Sequence, residues 1–263
     1  MIENWKIPEK LRQEYLDFIK LCLVDENEFD NFKRNSAIKV IIENTDDVSG
    51  QECLNYIHDN FPQYLEKIGR YDMSMNIGNP QGYVYALCAP NELYFKTVSP
   101  TTLRYIMHLG QIEKWFGPLD NLVIGEIGAG YGGLCTIIHE YFNSKEYILF
   151  DLPEVMEFQV KYIKKFNPEI IVNKAYNDDT HVWKPIKPYS KKKMQLDLIL
   201  AFCSWSELDI DLKIDYLKNV IRHAKKGVIA INYDFEENVQ LIKDTLTDKK
   251  IDIRVPGFIL TFE

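Results

Sequence analysis

The stretch Val123-Ile124-Gly125-Glu126-Ile127-Gly128-Ala129-Gly130-Tyr131-Gly132-Gly133 decides the fold. An apolar, β-branched run ends in an acid, a glycine-dense turn follows, and Leu134-Cys135-Thr136-Ile137-Ile138 continues as a helical pattern. Glycine lets the backbone turn sharply and approach a ligand with no Cβ in the way. The start of the next helix offers unpaired N–H groups to a polar ligand.

Downstream of this stretch the chain alternates strand and helix. Strands are predicted at residues 122–127, 146–150, 170–173, 196–202 and 227–232, with helices between them that include 154–166 and 212–223. Such alternation predicts a parallel sheet with helices on both faces. Ligands of such sheets bind outside the carboxyl ends of the strands. Two further strands, 251–255 and 258–262, are separated only by Pro256-Gly257 and must therefore be antiparallel neighbours. The expectation is an α/β, Rossmann-like, seven-stranded, mostly parallel sheet over residues 119–263.

Upstream, residues 1–118 read as a mainly helical N-terminal cap. Leu11, Tyr15, Phe18, Ile19, Cys22 and Leu23 recur at helical spacing, with Arg12, Glu14, Asp17 and Lys20 on the other face. A second helix is predicted over 49–68, with Pro62 as a break or kink. Tyr83-Val84-Tyr85-Ala86-Leu87 and Leu93-Tyr94-Phe95-Lys96-Thr97-Val98 flank a turn-rich Ala89-Pro90-Asn91-Glu92 and predict a hairpin. Ser99 and Pro100 then mark the N-cap and first position of a helix that stops at Phe116-Gly117-Pro118.

With 46% hydrophobic and 27% charged residues, the chain of 263 residues has the balance of a globular protein. Its net charge of −8 argues against nucleic-acid binding, which relies on Lys and Arg neutralising phosphates. No signal-peptide pattern or bilayer-length apolar run is visible, so a cytoplasmic protein without membrane insertion is expected. The cysteines at 22, 53, 88, 135 and 203 show no Cys-x-x-Cys pair and are expected to be reduced and near the core. Oligomeric state is not legible.

Three readings of the glycine stretch stand side by side. Gly128, Gly130 and Gly133 satisfy the dinucleotide fingerprint. Glu126, Gly128, Gly130 and Gly132 make an acid-x-Gly-x-Gly-x-Gly pattern that resembles the S-adenosylmethionine (SAM) loop of class I methyltransferases. A purely structural turn is the third. Asp151, about twenty residues on and followed by Leu152-Pro153, suits the ribose hydroxyls of either cofactor, or a helix N-cap. Glu126 and the closing tight hairpin together favour SAM over a dinucleotide. An acid at position 126 suits the ammonium of SAM and would repel a pyrophosphate. In the block 196–208, Phe202 and Trp205 are candidates to flank the cofactor, and Ser206 and Glu207 to face the substrate. In the alternative, Trp205 packs the cap and Glu207 opens the next helix.

Several blocks in order resemble a family of bacterial sugar O-methyltransferases over roughly residues 97–235. These are Ser99-Pro100-Thr101-Thr102-Leu103-Arg104-Tyr105, Phe116-Gly117, Glu126 to Gly133, Asp151-Leu152-Pro153-Glu154-Val155, Ser206-Glu207-Leu208 and the strand end at Asn232. Leu134 departs from a Gln common after the double glycine, and Ala201-Phe202-Cys203-Ser204-Trp205 replaces a Ser-Asn-Tyr-Ala-Phe-like stretch at the expected substrate mouth. The resemblance implies a SAM-dependent O-methyltransferase that releases S-adenosylhomocysteine (SAH). Its acceptor would be a sugar, sugar nucleotide or phosphorylated metabolite of capsule polysaccharide biosynthesis, including phosphoramidate appendages. It also places Arg104 and Tyr105 over the cofactor.

The acceptor hydroxyl must lose a proton, and the base candidates are Glu207, His181 and His108. Tyr131 is a candidate to line the transfer channel, Asn232 and Tyr233 to touch the acceptor, and Asn177-Asp178-Asp179 to reach the adenine. Lys184, Lys187 and Lys191-Lys192-Lys193 read as a solvated face or as an attractor of a phosphorylated acceptor. No histidine pair has metal spacing, so a metal-free reaction is expected. The competing classes are an NAD(P)-dependent oxidoreductase and a non-catalytic SAM-binding subunit.

Overall fold

The computed structural model describes residues 7–65, 77–89, 92–175, 195–202, 204–254 and 259–263. The cap begins with helices α1 (Glu9–Val24), α2 (Glu26–Asp30), α3 (Ser36–Ile41) and α4 (Asp47–Asn60). Asp25, Asn35 and Asp46 cap the last three of these with side-chain oxygens on free helix N–H groups. The second helix is shorter than the sequence suggests. It ends at Asn60, and Pro62 acts as the break, opening a 3-10 turn; residues 66–68 of the expected range lie outside the described residues. The hairpin forms as expected, β1 (Tyr83–Ala89) against β2 (Glu92–Val98). Helix α5 (Pro100–Phe116) follows. Ser99 occupies its N-cap position, but the hydroxyl donates to Glu43 Oε2 at 3.2 Å rather than capping the helix.

The remaining elements are β3 (Val123–Ile127), α6 (Gly133–Tyr141), β4 (Glu146–Phe150), α7 (Pro153–Phe166), β5 (Val172–Lys174), β6 (Leu196–Ala201), α8 (Ile210–Asn219), β7 (Ala224–Ala230), α9 (Phe235–Thr245), β8 (Ile251–Arg254) and β9 (Ile259–Phe262). The sheet has the order β5-β4-β3-β6-β7-β9-β8. All its neighbours are parallel except β9, which runs antiparallel to both β7 and β8. The order reverses between β3 and β6, so a crevice opens at the carboxyl ends of these two strands. This is the Rossmann-like methyltransferase fold, with the closing antiparallel strand that the sequence predicts. Pro256-Gly257 lies outside the described residues.

Two apolar layers sandwich the sheet. Beneath it, α8 and α9 pack Tyr216, Leu217, Val239 and Ile242 against Ile199, Ile229 and Phe262. Above it, α6 and α7 share one continuous core with the cap, from Tyr15, Ile19 and Phe32 through Leu103 and Ile106 to Leu149 and Leu200. The cap is held by this burial. Ile19, Phe29 and Phe32 are each 0% exposed, and burying such a side chain contributes about 1.5–3 kcal/mol. Surface pairs across the same seam, Lys20 to Glu154 at 3.4 Å and Lys161 to Glu26 at 2.7 Å, contribute at most about 1 kcal/mol each. Cys22, Cys53 and Cys135 are buried and unpaired. Among the described residues no helix is long and apolar enough to cross a membrane.

Candidate functional site

The turn after β3 is built from left-handed backbone. Gly128, Gly130 and Gly132 have φ of 67°, 59° and 90°, values that side-chain-bearing residues adopt only with strain. At Gly128 the space is also closed. A Cβ there would lie 2.3 Å from Ser204 Cβ, and Ser204 is fixed because its hydroxyl donates to the Ile127 carbonyl at 2.6 Å. The end of β6 is thereby clamped to the turn. At Gly130 the neighbours belong to the cap. A Cβ would sit 3.2 Å from Ile42 and 3.7 Å from the Tyr105 hydroxyl, so these two residues roof the turn.

Asp151 stands at the end of β4, one strand away. Its Oδ1 accepts the Leu152 N–H at 2.8 Å and its Oδ2 accepts from Gln159 Nε2 at 2.8 Å. Leu152 is the N-cap residue of α7 and is half-buried. Gln159 also donates to the Gly130 carbonyl at 2.9 Å, and so joins the acid to the glycine turn. The side chain of Gln159 is fully buried, and its Oε1 has no hydrogen-bond partner. An acceptor left over in a buried site usually points to a missing donor. Sequence reasoning missed Gln159, although a polar residue inside the buried stripe Val155, Met156, Gln159, Tyr162 and Ile163 is a visible signal.

Asp151 acts on two further carboxyl groups, Glu126 and Glu207. Burial pushes Glu126 up to about 7, against the pull of the Tyr147 hydroxyl that donates to it at 2.6 Å, and Asp151 adds repulsion. Burial lifts Asp151 to about 6, opposed by its bonds from Leu152 and Gln159. Glu207, on the 3-10 turn after β6, is raised to about 7 by burial. There Arg12 of the cap lowers it and Asp151 raises it. Among the described residues, no cation acts on Glu126 or Asp151. Tyr15 of α1 is buried and feels Asp151, Tyr105 and Glu207 at once, which puts α1 against the site. Nothing in the sequence of α1 beyond its helical spacing marks Arg12 or Tyr15 for that place.

The other candidates divide. Phe202 and His108 are brought together at the end of β6, with rings stacked 4.3 Å apart. Burial drives His108 down to about 3, helped by Arg104, so it is neutral. Its Nδ1 lies 3.3 Å from Gln111 Oε1. Asn232 and Tyr233 follow β7 at the same edge. Their N–H groups donate to Ser206 Oγ at 2.9 and 3.4 Å, so Ser206 ties the loops after β6 and β7 together. The Tyr233 hydroxyl is buried without a partner, with Glu207 among the charges acting on it.

Three candidates are engaged in structural contacts. Tyr131 is 1% exposed and donates to Glu43 Oε1 at 2.8 Å. It packs edge-on to Phe32, Tyr105 and Tyr162, under the Lys33 ammonium 4.3 Å from its ring centroid. Arg104 donates to the Ile42 carbonyl at 3.0 Å and to Asn44 Oδ1 at 2.8 Å, holding the cap segment that roofs the turn. Trp205 is wholly buried in the layer beneath the sheet. His181, Asn177-Asp178-Asp179 and the lysines at 184, 187 and 191–193 lie outside the described residues. Among the described residues, no three metal-ligating side chains converge.

No family model and no curated protein matches the chain. Solved structures that resemble it include a methyltransferase from Pyrococcus furiosus, 14% identical over 76% of this chain and 93% of that one, TM-score 0.43. The N-methyltransferase NodS from Bradyrhizobium japonicum WM9, in complex with SAH, is 14% identical over 60% and 83%, TM-score 0.42. A SAM-dependent methyltransferase from Aquifex aeolicus is 15% identical over 58% and 86%, TM-score 0.40. At these values the likenesses assign no activity to this chain, whose fold rests on its own strand order.

Proposed function

We propose that this chain is a SAM-dependent methyltransferase acting on a hydroxyl or phosphate-type oxygen of a small polar acceptor. The observation that carries the reading is the glycine turn tied through Gln159 to Asp151, an acid whose charge also reaches Glu126 and Glu207. Its charge suits a ligand bearing a sulfonium and an ammonium. A dinucleotide would bring a doubly negative pyrophosphate to the same place and meet repulsion. The unpartnered Gln159 Oε1 beside Asp151 suits a ligand rich in hydroxyl donors, as a ribose is. The sugar or surface-polysaccharide acceptor is supported by the sequence blocks alone.

In this reading Asp151 accepts from the ribose hydroxyls and Gln159 fixes its orientation. Glu126 contributes charge from beneath the turn. When bound, SAM supplies an activated methyl group for one in-line displacement. Glu207, raised to about 7, is matched to accepting the acceptor's proton near neutral pH. His108, held near 3, is a poor base and a better hydrogen-bond acceptor for orienting the nucleophile. Tyr15 of α1 lies buried beside Asp151, and Arg12 of the same helix offsets part of the rise at Glu207.

Calorimetric titration with SAH and with NADH tests the cofactor. Micromolar SAH binding with no NADH heat is expected, and the reverse outcome refutes the reading. A screen of sugars, sugar nucleotides and phosphorylated metabolites for methyl transfer separates an enzyme from a non-catalytic SAM-binding subunit.

A further inference from the structure

We propose that the cleft between α5 and the β8–β9 edge receives the acceptor, and that this acceptor carries an anionic group next to a flat ring or sugar face. The inference rests on the methyltransferase reading for the word acceptor. The cleft itself stands on geometry. It encloses about 460 Å³, within the range of small-molecule sites. Tyr56, Gln111, Lys114 and Trp115 line it from the cap, and Arg254 lines it from the sheet. Ile253 and Ile259 supply apolar surface.

Its position links it to the carboxyl edge of the sheet. Ile259 pairs with Ala230, the last residue of β7, and Arg254 pairs with Ile259. The sheet side of the cleft therefore sits at the edge that carries Asn232 and Tyr233. On the helix side, Gln111 bonds His108, and the His108 ring stacks on Phe202 at the end of β6. Gln111, His108 and Phe202 thus connect the cleft to the carboxyl end of β6.

Its chemistry is opposite to that of the cofactor site. The chain carries a net charge of −8, yet among the described residues both charged side chains lining the cleft are cations. Lys114 is exposed, and its ammonium lies 5.9 Å from the Phe61 ring centroid. The Arg254 guanidinium is oriented by Thr261, whose Oγ1 accepts from Nε at 3.0 Å, and by Asp252 at 3.5 Å. A guanidinium and an ammonium across a cleft hold a phosphate or carboxylate. Trp115 and Tyr56 offer faces for a ring, and Gln111 offers an amide for a hydroxyl. A cation would be repelled here, and an anion would be repelled by Glu126, Asp151 and Glu207. The two ligands are thereby sorted to their own subsites by charge.

The test is calorimetry on the full chain saturated with SAH, with phenyl phosphate, phenyl β-D-glucoside and inorganic phosphate as probes. Phenyl phosphate is expected to bind at least tenfold more tightly than either of the others. Lys114→Glu is expected to weaken it at least tenfold and to leave SAH affinity and melting temperature unchanged. Arg254→Gln serves as a second variant should the first alter folding, and Trp115→Phe is expected to remove the fluorescence change on binding. No phenyl phosphate binding, equal binding of the glucoside, or binding undiminished by both charge variants overturns the proposal. Phenyl phosphate binding that is lost in Lys114→Glu, in a chain that binds no SAH, supports an anion site there and refutes the methyltransferase reading instead.

Discussion

Replacing Asp151 with Asn separates the stability of the fold from its affinity for cofactor. Burial lifts this carboxyl from 3.8 to about 6, a penalty of about 3 kcal/mol for carrying the charge. The folded protein holds the proton to higher pH than the unfolded chain does. The penalty is therefore absent below about pH 4, grows through pH 4–6 and is complete above that. Asn removes the charge but keeps one oxygen for the Leu152 N–H. Its amide then faces Gln159 Nε2, so the Gln159 amide must turn over, presenting its unpartnered Oε1 to Asn and giving up the bond to the Gly130 carbonyl. That loss costs about 1 kcal/mol.

The net expectation for Asp151→Asn at pH 7.5 is a gain of about 2 kcal/mol, or roughly 4 °C or more in melting temperature. At pH 4 the same variant is expected to melt slightly below the parent, so the difference changes sign. Affinity for SAH is expected to fall by about tenfold to a hundredfold, since hydrogen bonds to a charged acceptor contribute about 1.5–3 kcal/mol. Scanning calorimetry at the two pH values and SAH titration read both effects. A variant destabilised equally at both pH values refutes the burial penalty, and an unchanged SAH affinity refutes the ribose contact.

Glu207→Gln is expected to lower turnover of the acceptor found by screening by about 10²–10⁴-fold. It is also expected to erase the rise of kcat/KM that the parent shows up to about pH 7, and an unchanged profile removes Glu207 from the proton path. Gly128→Ala forces a Cβ to within 2.3 Å of Ser204 Cβ at φ 67°. A melting temperature lowered by several degrees with loss of SAH binding is expected, and parent-like behaviour shows that the clamp yields. Lys33→Met is expected to raise the melting temperature at pH 7. Burial holds Lys33 near 8 in the folded state against 10.5, so its charge is costly below pH 8 and the advantage vanishes by about pH 10.5. An equal gain at both pH values points to packing instead.

The parts of this fold legible in the sequence are those set by local pattern. The strand, glycine turn and helix at 123–141 appear where the alternation and the positive-φ glycines require them. The closing antiparallel pair follows from a connection too short for a crossover. Long-range partners are not local and were not legible. Tyr131 looks like a channel residue because it lies inside the glycine turn, yet its hydroxyl goes to Glu43, 88 residues away. Ser99 has the residue type of a helix cap, but Glu43 takes its hydroxyl. Arg12 reaches the site from a helix whose amphipathic pattern explains it fully as structure, whereas Gln159 breaks the apolar stripe of α7 and only the fold shows which atoms it joins. Where a side chain's partner comes from another element, residue type and spacing name the candidate and tertiary packing chooses its role.

The same packing makes the three carboxyl groups a store of protons, and this gives a sharp distinction between cofactors. At pH 6.5, Glu126 and Glu207, both near 7, are mostly protonated, and Asp151, near 6, is partly so. A ligand that brings positive charge lowers all three and must expel protons, on the order of one per molecule bound. An anionic dinucleotide raises them further and takes protons up. Titrating SAM at pH 6.5 in buffers of different ionisation enthalpy reads the number directly, because the apparent heat changes in proportion to protons released. Release with SAM, and less with SAH, which lacks the sulfonium, is the expected result. Heats independent of buffer mean that the ligand does not meet these carboxylates, and the charge argument for a sulfonium cofactor then fails.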